Sequence, residues 1–281
     1  MRKFFLAMLI LVSGWSQAAE RNYKIYDCFP FLNEYDLLAI RLRELSDKVD
    51  YFVLMEAVET FRGNPKPLYF QQNKHLFEPY LHKIIHVVVN ERYKPGTADP
   101  WGREEFQKNQ VIRGLVNCSP NDVIIINDCD EIIRNRNFDE MLEILQAGGH
   151  GRIVSCEGGF YQFFYNRKMG EWNGPAMTHF STVQALSPDG IRARRDHCGF
   201  HVRNAGWHFS NMGGLKTYVE KLASFSHGEA DIPLHRDPNH IYGAVQGLRL
   251  VEIDDSFPEY IKENVEYFRS KGLLDDGTGY R

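Results

Sequence analysis

The fold is decided by one stretch, Val123-Ile124-Ile125-Ile126-Asn127-Asp128-Cys129-Asp130-Glu131-Ile132. Its apolar β-branched run is typical of a short strand buried on both faces, as found inside a mostly parallel sheet. Two carboxylates, Asp128 and Asp130, follow the run at i and i+2, and Glu131 comes directly after them. Because ligands bind at the carboxyl ends of the strands in open α/β sheets, this acidic turn is the first candidate site.

The acidic turn predicts a metal site. Three acids at the end of a buried strand repel one another and lose solvation unless a cation or a hydrogen-bond network compensates them. A divalent cation is the simplest compensation, and carboxylates suit Mg²⁺ and Mn²⁺. The alternative is a solvated turn in which Asp130 caps the next segment. The isoleucine run and the third acid favour the metal, with Asp128 and Asp130 as ligands.

Composition narrows the class of protein. The chain has 281 residues, 43% of them hydrophobic, which is enough to form a large core without disulfides. A net charge of -4 and a pI near 6.3 argue against a nucleic-acid binder. The 13% aromatic content is compatible with a sugar site, although aromatic residues are core residues first. No internal repeat or linker divides the chain.

The first 19 residues resemble a targeting segment. Arg2 and Lys3 precede an apolar stretch from Phe4 to Val12, and small residues at Ala18-Ala19 suit a signal peptidase. The prediction is a signal peptide over 1–19 and one domain over 20–281, in an exported or secretory compartment. The alternative is an uncleaved anchor, which would attach the chain to a membrane. Five cysteines show no C-x-x-C spacing, so no zinc cluster is predicted, and export would allow one or two disulfides.

Apolar runs alternate with helical periodicity, which indicates βαβ units and a largely parallel sheet. The pattern predicts strands over Tyr23–Phe29, Asp50–Ala57, Lys83–Val89, Arg152–Cys156 and Phe160–Tyr165. It predicts helices that begin after Asn33 as N-cap, at Pro100 with Asp99 as cap and an apolar face that includes Val116, in a capping box at Asn137, and at Gly213-Gly214. Closing helices are predicted over Asn239–Val251 and Phe257–Lys271, and 167–206 cannot be assigned well.

Several ordered motifs together resemble glycosyltransferase family 17. They are Tyr26-Asp27-Cys28-Phe29-Pro30, Asn33-Glu34, Glu56-Ala57 with Thr60-Phe61, Gly63, Lys66-Pro67-Leu68, Asp128-Cys129-Asp130-Glu131-Ile132 and Gly206-Trp207-His208-Phe209-Ser210. The resemblance runs from about Tyr23 to Asp231. It implies a GT-A-like fold, an inverting mechanism, a nucleotide-sugar donor such as UDP-GlcNAc, and a glycan or glycoprotein acceptor, such as the β-linked mannose of an N-glycan.

Donor binding requires groups that face a diphosphate and a nucleoside. A divalent ion at Asp128 and Asp130 would stabilise the charge of the leaving group. His208 is predicted as a further ligand, because Trp207 packs inward and alternation then turns His208 towards the strand ends; a hydrogen-bonded core histidine is the alternative. Lys221 would reach a phosphate, with a solvated position as the alternative. Glu56 would accept from ribose or uracil, and the family motifs add Phe29 and Glu131 to the donor-binding residues.

An inverting transfer also needs a general base for the acceptor hydroxyl. Asp231 and Glu229 are the first candidates, because the loop that carries them should return to the cleft. Glu157 and Asp196 are alternatives. Two other classes of protein fit the same residues: a metal-dependent hydrolase, and a secreted carbohydrate-binding pseudoenzyme that would not turn over a nucleotide sugar.

Overall fold

The computed structural model describes residues 21–277, so the predicted signal peptide lies outside the described residues. Helices cover both faces of one mixed sheet, which confirms the predicted α/β class. The strands are β1 Ile25–Pro30, β2 Tyr51–Ala57, β3 Ile84–Val89, β4 Val123–Ile126, β5 Glu131–Ile133, β6 Ile153–Gln162, β7 Arg167–His179, β8 His201–Val202, β9 Gly206–Ser210 and β10 Arg249–Leu250.

The helices vary widely in length, and several are single turns. They are α1 Tyr35–Leu45, α2 Tyr69–Asn73, α3 Pro100–Asn109, α4 Asn135–Gly148, α5 Phe180–Leu186, α6 Pro188–Arg192, α7 Gly214–Leu222, α8 Pro233–Arg236, α9 Pro238–Gln246, α10 Glu259–Glu263 and α11 Val265–Ser270. Short 3₁₀ segments occupy Lys74–Lys83, Gln110–Gly114, Arg195–His197 and Gly228–Ala230. Within residues 21–277, no helix is both long enough and apolar enough to span a bilayer.

The strand order is β3-β2-β1-β4-β7-β6-β9-β5, with β8 paired to β6 and β10 paired to β7. The first four strands are parallel, as their continuous apolar runs predict. β7 runs antiparallel between β4 and β6, so the sheet changes direction there. The carboxyl ends of β1, β2 and β4 therefore meet at one edge, and the acidic turn lies at that edge.

Alternating residues of the parallel strands feed two cores. Ile25 and Phe29 of β1 face a layer formed with α1 and α4, whereas Tyr26 and Cys28 face a layer with the α3 region and α5. α1 presents Leu38, Leu42 and Leu45 to the first layer, and these side chains are completely buried. Both faces of the parallel sheet are thus dry, which fixes the strand ends that carry the site.

Three element predictions need correction. Asn33 does not cap α1, because Glu34 holds that position and its Oε2 accepts the N–H groups of Leu32 and Asn33. α4 begins at Asn135, two residues before the predicted capping box, since the Asn135 N–H bonds to Glu44 Oε1 at 2.8 Å. Val116 is 78% exposed and lies outside the apolar face assigned to it, because helix α3 ends at Asn109 and a 3₁₀ turn follows.

The second half of the sheet also differs from prediction. The two strands predicted over Arg152–Cys156 and Phe160–Tyr165 are one ten-residue strand, β6, with register shifts against β7. The unassigned segment begins with the 13-residue β7. All five cysteines are free thiols, so the disulfides that export would allow do not form.

Two glycines allow the chain to reach the site. A Cβ on Gly206 would lie 2.5 Å from Cys156 Sγ and 2.6 Å from the Ile132 carbonyl, so only glycine fits where β9 begins between β6 and β5. Gly213 has φ 101°, in the left-handed region that glycine adopts without strain, and it starts α7. These positions direct β9 and α7, which carry His208 and Lys221, to the acidic turn.

Candidate active site

The acidic turn is held from below by a buried arginine. Arg41 of α1 forms a bidentate pair with Asp27 of β1, with both distances 2.6 Å and neither side chain exposed. Its third nitrogen, Nη1, donates to the backbone carbonyls of Asp128, Cys129 and Glu131 at 3.3, 3.3 and 2.7 Å. Arg41 therefore fixes the backbone of the turn to the core, and the turn's conformation follows from β1 and α1.

Asp128 lies between two cations. Lys108 Nζ is 2.7 Å from Oδ1, and Arg192 Nη2 is 2.8 Å from Oδ2. Although burial opposes ionisation, Arg192 and Lys108 hold the pKa of Asp128 well below its usual range. Asp128 is thus a carboxylate at any physiological pH, and both of its oxygens already have partners.

Asp130 faces Lys221 and His208. Lys221 Nζ lies 3.2 Å from Oδ2, and His208 Nε2 lies 3.5 Å from Oδ1. Burial again opposes ionisation, but Lys221 and His208 lower the pKa of Asp130 below its ordinary value. Burial would lower the pKa of Lys221, yet the carboxylates of Asp130 and Glu34 raise it, so the amine stays charged. The structure brings together all four of the residues that were predicted to face the diphosphate.

Glu131 is held on every side. Arg195 Nη1 lies 2.9 and 3.0 Å from its two oxygens, and Trp172 Nε1 donates to Oε1 at 2.8 Å. Its Oε2 also accepts the backbone N–H of Asp128 at 3.2 Å. Glu131 lines the cavity, but its carboxylate mainly orders the turn.

His208 lies on the cavity side of β9, as alternation with Trp207 predicts. Trp207 is buried in the core, where its Nε1 donates to the Ser256 carbonyl at 2.9 Å. The imidazole of His208 stacks on Phe160 at 4.7 Å with an interplanar angle of 12°, and Trp172 packs on it at 4.7 Å. The Nδ1 atom of His208 is buried and has no partner in residues 21–277. Aromatic packing therefore orients the ring.

A cavity of about 430 Å³ opens over these groups, at the carboxyl ends of β1, β2 and β4. That volume is within the range of roughly 300–1,000 Å³ for small-molecule sites. The polar residues of its wall are Glu34, Glu59, Thr60, Lys66, Glu104, Gln107, Lys108, Asp128, Asp130, Glu131, Gln162, Arg192, His208, Ser210, Asn211, Lys221, Ser224, Ser226 and His227. Its aromatic residues are Phe31, Phe61, Trp101, Phe160, Trp172 and Phe225.

The donor atoms near Asp130 are compatible with a divalent ion. Two ligands about 2.1 Å from an octahedral ion lie about 3 Å apart, close to the 3.5 Å between Asp130 Oδ1 and His208 Nε2. Asp128 would join them only by releasing Lys108 or Arg192, or through water. The described residues hold no group of three His, Cys, Asp or Glu side chains that could bind an ion on their own. In proteins, Mg²⁺ is commonly bound by one or two carboxylates together with substrate phosphates.

The remaining predicted residues lie elsewhere. Glu56 is completely buried and receives the N–H groups of Phe70 and Gln71, so it anchors the start of α2 and does not line the cavity. Phe29 lies in the core, with the Arg41 guanidinium 4.4 Å from its ring centroid. Neither residue therefore lies where it could contact a nucleotide sugar in the cavity.

The predicted bases also lie off the cavity lining. Asp231 is paired with Arg62 at 2.6 Å and with Arg236 at 2.5 Å. Glu229 is exposed and pairs with His227 at 2.6 Å. Glu157 and Asp196 do not line the cavity either. The structure therefore does not bring these four acids to the acidic turn.

The sequence interpretation missed several functional residues. Arg41 lies four residues from both Leu37 and Leu45, on the buried face of α1, and a lone arginine in an apolar stripe was a usable signal. Glu34 lines the cavity, its carboxylate forms no ion pair with the described residues 21–277, and burial raises its pKa. Lys108 and Arg192 gave no local signal, because only the packing of α3 and α6 brings them to Asp128.

Fold and site together define an α/β protein with an acid- and cation-lined cavity at the carboxyl ends of its parallel strands. The model of glycosyltransferase family 17 matches residues 4–245, and the chain belongs to that family. The resemblance that the ordered motifs indicated is thereby confirmed.

Curated proteins also match most of this chain. The β-1,4-mannosyl-glycoprotein 4-β-N-acetylglucosaminyltransferase of Homo sapiens is 27% identical over 248 residues, and that of Rattus norvegicus is 36% identical over the same length. In both cases the match covers 76% of this chain and 46% of the relative, so the chain spans about half the length of the curated relatives it matches.

Among solved structures, a mannosyltransferase from Pyrobaculum calidifontis in complex with GDP-Man and Mn²⁺ aligns with a TM-score of 0.44 and 12% identity. The alignment covers 88% of this chain and 70% of that one.

Proposed function

We propose that this protein is an inverting, divalent-metal-dependent glycosyltransferase that moves GlcNAc from UDP-GlcNAc onto a glycan, such as the β-linked mannose of an N-glycan. The observation that carries the proposal is the convergence of Asp130, His208 and Lys221 in a cavity of about 430 Å³, in a chain of this family. The printed names of the curated relatives suggest the sugar and the acceptor. The signal peptide predicted over residues 1–19 suggests that the reaction takes place in an exported or secretory compartment.

The chain's own residues would act as follows. A divalent ion bound at Asp130 and His208, with Asp128 directly or through water, would supply electrostatic stabilisation of the leaving diphosphate. Lys221 and Arg192 add fixed positive charge at the same acids, because both already contact them. Arg41 keeps the acidic turn in place as negative charge develops on the leaving diphosphate, so the backbone does not need to reorganise.

The acceptor hydroxyl must transfer its proton to a base, and a carboxylate without an ion pair is free to receive it. Glu34 meets this requirement among the described acids of the cavity wall, because its carboxylate has backbone hydrogen bonds but no ion pair. Burial raises its pKa, which improves it as a base. We therefore place the base at Glu34 in preference to Asp231 or Glu229.

The first test is a thermal-shift titration with UDP-GlcNAc, with and without Mn²⁺. A true donor stabilises the folded protein increasingly with concentration, by about 2.7 kcal/mol at one hundred times Kd. Asp130→Ala should abolish the Mn²⁺-dependent shift and the transfer of GlcNAc to a biantennary N-glycan, while the variant stays folded. Asp255→Ala is the matched control, because that side chain is fully exposed on the surface.

The outcomes separate the classes of protein. Wild-type transfer rates in the Asp130→Ala protein would contradict the proposed metal site. Hydrolysis without transfer, lost on adding a chelator, would indicate a metal-dependent hydrolase. Glycan binding with no response to any nucleotide sugar would indicate a carbohydrate-binding pseudoenzyme.

A further inference from the structure

An open aromatic surface lies at the mouth of the cavity, where its wall is exposed to solvent. Trp101, in the first turn of α3, lines the cavity and is 51% exposed. Its indole meets the His227 imidazole at 4.5 Å with an interplanar angle of 85°, an edge-to-face contact that leaves much of the indole uncovered. His227 is itself held by Glu229 at 2.6 Å. We call Trp101 and His227 the mouth platform.

Polar groups continue from the mouth platform to the acidic turn. Glu104 follows Trp101 by three residues and therefore lies on the same side of α3. Its carboxylate accepts a hydrogen bond from Ser226 Oγ and pairs with Lys108 Nζ at 2.7 Å. The same Nζ lies 2.7 Å from Asp128 Oδ1. A ring placed on Trp101 would thus lie beside an acid that a single lysine separates from Asp128.

The charged groups beside the acidic turn differ from those beside the mouth platform. Lys221 and Arg192 offer cations to an anionic diphosphate beside the acidic turn, whereas the groups beside the mouth platform already pair with one another, Glu104 with Lys108 and Glu229 with His227. A neutral ligand with one apolar face and many hydroxyl groups suits the mouth platform. Its apolar face would cover the indole, and one hydroxyl could donate a hydrogen bond to Glu104.

We propose that the mouth platform is the subsite that binds a pyranose ring of the acceptor glycan, with Glu104 receiving a hydrogen bond from one of its hydroxyl groups. This inference rests on the proposed function for the identity of the glycan as acceptor. It assigns specificity to residues outside the acidic turn and gives Glu229 an indirect part, as the residue that orients His227.

Binding without a donor tests the subsite by itself. A released agalacto biantennary N-glycan is titrated calorimetrically into wild type, Trp101→Ala, Trp101→Phe and Tyr242→Ala, all metal-free. Loss of one aromatic contact should weaken binding about fivefold to tenfold in Trp101→Ala. Trp101→Phe should keep most of the affinity, and Tyr242→Ala should keep all of it, because Tyr242 is a comparably exposed aromatic on α9 away from the cavity.

Steady-state kinetics separate this inference from the proposed function. Trp101→Ala should raise the KM for the glycan by a similar factor and leave the KM for UDP-GlcNAc unchanged. A higher donor KM with an unchanged glycan KM would overturn the inference and assign the indole to the nucleotide. Equal glycan affinity in Trp101→Ala and wild type would also overturn it. If wild type transfers no sugar but glycan binding still depends on Trp101, the proposed function fails and the subsite stands.

Discussion

Two ion-pair networks lie behind the cavity lining, and they differ in burial. Below the acidic turn, Asp27 and Arg41 are completely buried, their two ion-pair contacts are 2.6 Å long, and Arg41 also donates to the Glu131 carbonyl at 2.7 Å. At the mouth, Asp231 joins Arg62 to Arg236, and those two guanidinium side chains are 32% and 44% exposed. The first network ties the site to the core, whereas the second ties one surface loop to another.

The difference follows from solvation. A buried guanidinium loses its hydration and is tolerated only when its hydrogen bonds are satisfied, so Arg41 has one favourable position. Pairs near the surface are screened by water and salt, and each contributes at most about 1 kcal/mol. The acidic turn is therefore fixed before a ligand binds, while the segment that carries His227 and Asp231 can adjust to a glycan.

The largest effect is expected from Arg41→Met. The change leaves Asp27 buried without its cation, and breaking such a pair costs about 3–5 kcal/mol of the free energy of unfolding. Urea denaturation measures it, with Arg43→Met on the same helix as control, because Arg43 is exposed and its ion pair within residues 21–277 is with the exposed Glu263. Adding Asp27→Leu should restore part of the loss. A loss below about 1 kcal/mol in Arg41→Met would mean that the acid turn does not depend on the core.

The strands that are buried on both faces could be predicted from the sequence. The reason is burial, which also restricts Arg41 to one favourable position. Strands buried on both faces leave continuous apolar runs, and β1, β2, β3 and β4 were located within one or two residues. β7 was missed because its first half carries the charged residues Arg167, Lys168 and Glu171 and shows neither alternation nor an apolar run. Its identity as a strand follows from pairing with β4 and β6, which the local sequence does not encode.

The site divides in a similar way. Asp128, Asp130 and His208 could be placed from strand ends and alternation, because those rules fix direction as well as position. Glu56 also ends a strand, but its side chain bonds to the start of α2, and the sequence alone did not distinguish the two directions. Lys108 and Arg192 look like ordinary surface cations until α3 and α6 pack beside the turn.

A smaller and pH-dependent change is expected at Glu34. Burial raises its pKa in the folded protein above the unfolded value of about 4.3, so its contribution to stability is full below that pH and is lost as pH rises through the folded pKa. Glu34→Gln removes this dependence and can still accept the Leu32 and Asn33 N–H groups. The variant should therefore gain stability relative to wild type as pH rises from about 4 to 7, in paired urea titrations. A constant difference across that range would show that Glu34 is not desolvated.

If Glu34 is also the base, the same variant loses turnover. General-base catalysis contributes about 10²–10⁴-fold, so kcat of Glu34→Gln should fall by that order while the KM for the glycan changes little. An unchanged kcat would remove Glu34 from the reaction and leave its stability effect intact.

The smallest effect on stability is expected at the mouth, in Asp231→Asn. The substitution removes the charge that joins Arg62 to Arg236. The Asp231 side chain is 11% exposed, but both guanidinium groups reach solvent, so we expect a loss of about 1 kcal/mol of the free energy of unfolding. The loss should shrink further in 1 M NaCl, where screening acts within about 3 Å. Asp139→Asn is the matched control, since Asp139 is 67% exposed and pairs with Lys48 across a different surface.

Kinetics of the same Asp231→Asn variant decide what the pair does. If it only steadies the wall beside His227, the KM for the glycan should rise modestly and kcat should stay within about twofold of wild type, far from the roughly 10²-fold loss expected for a base. A loss of kcat on that larger scale, with stability unchanged, would restore Asp231 as the base that the sequence first suggested. A loss of more than about 2 kcal/mol in stability would instead show that the mouth is as firmly built as the acid turn, because screened pairs cannot supply that much.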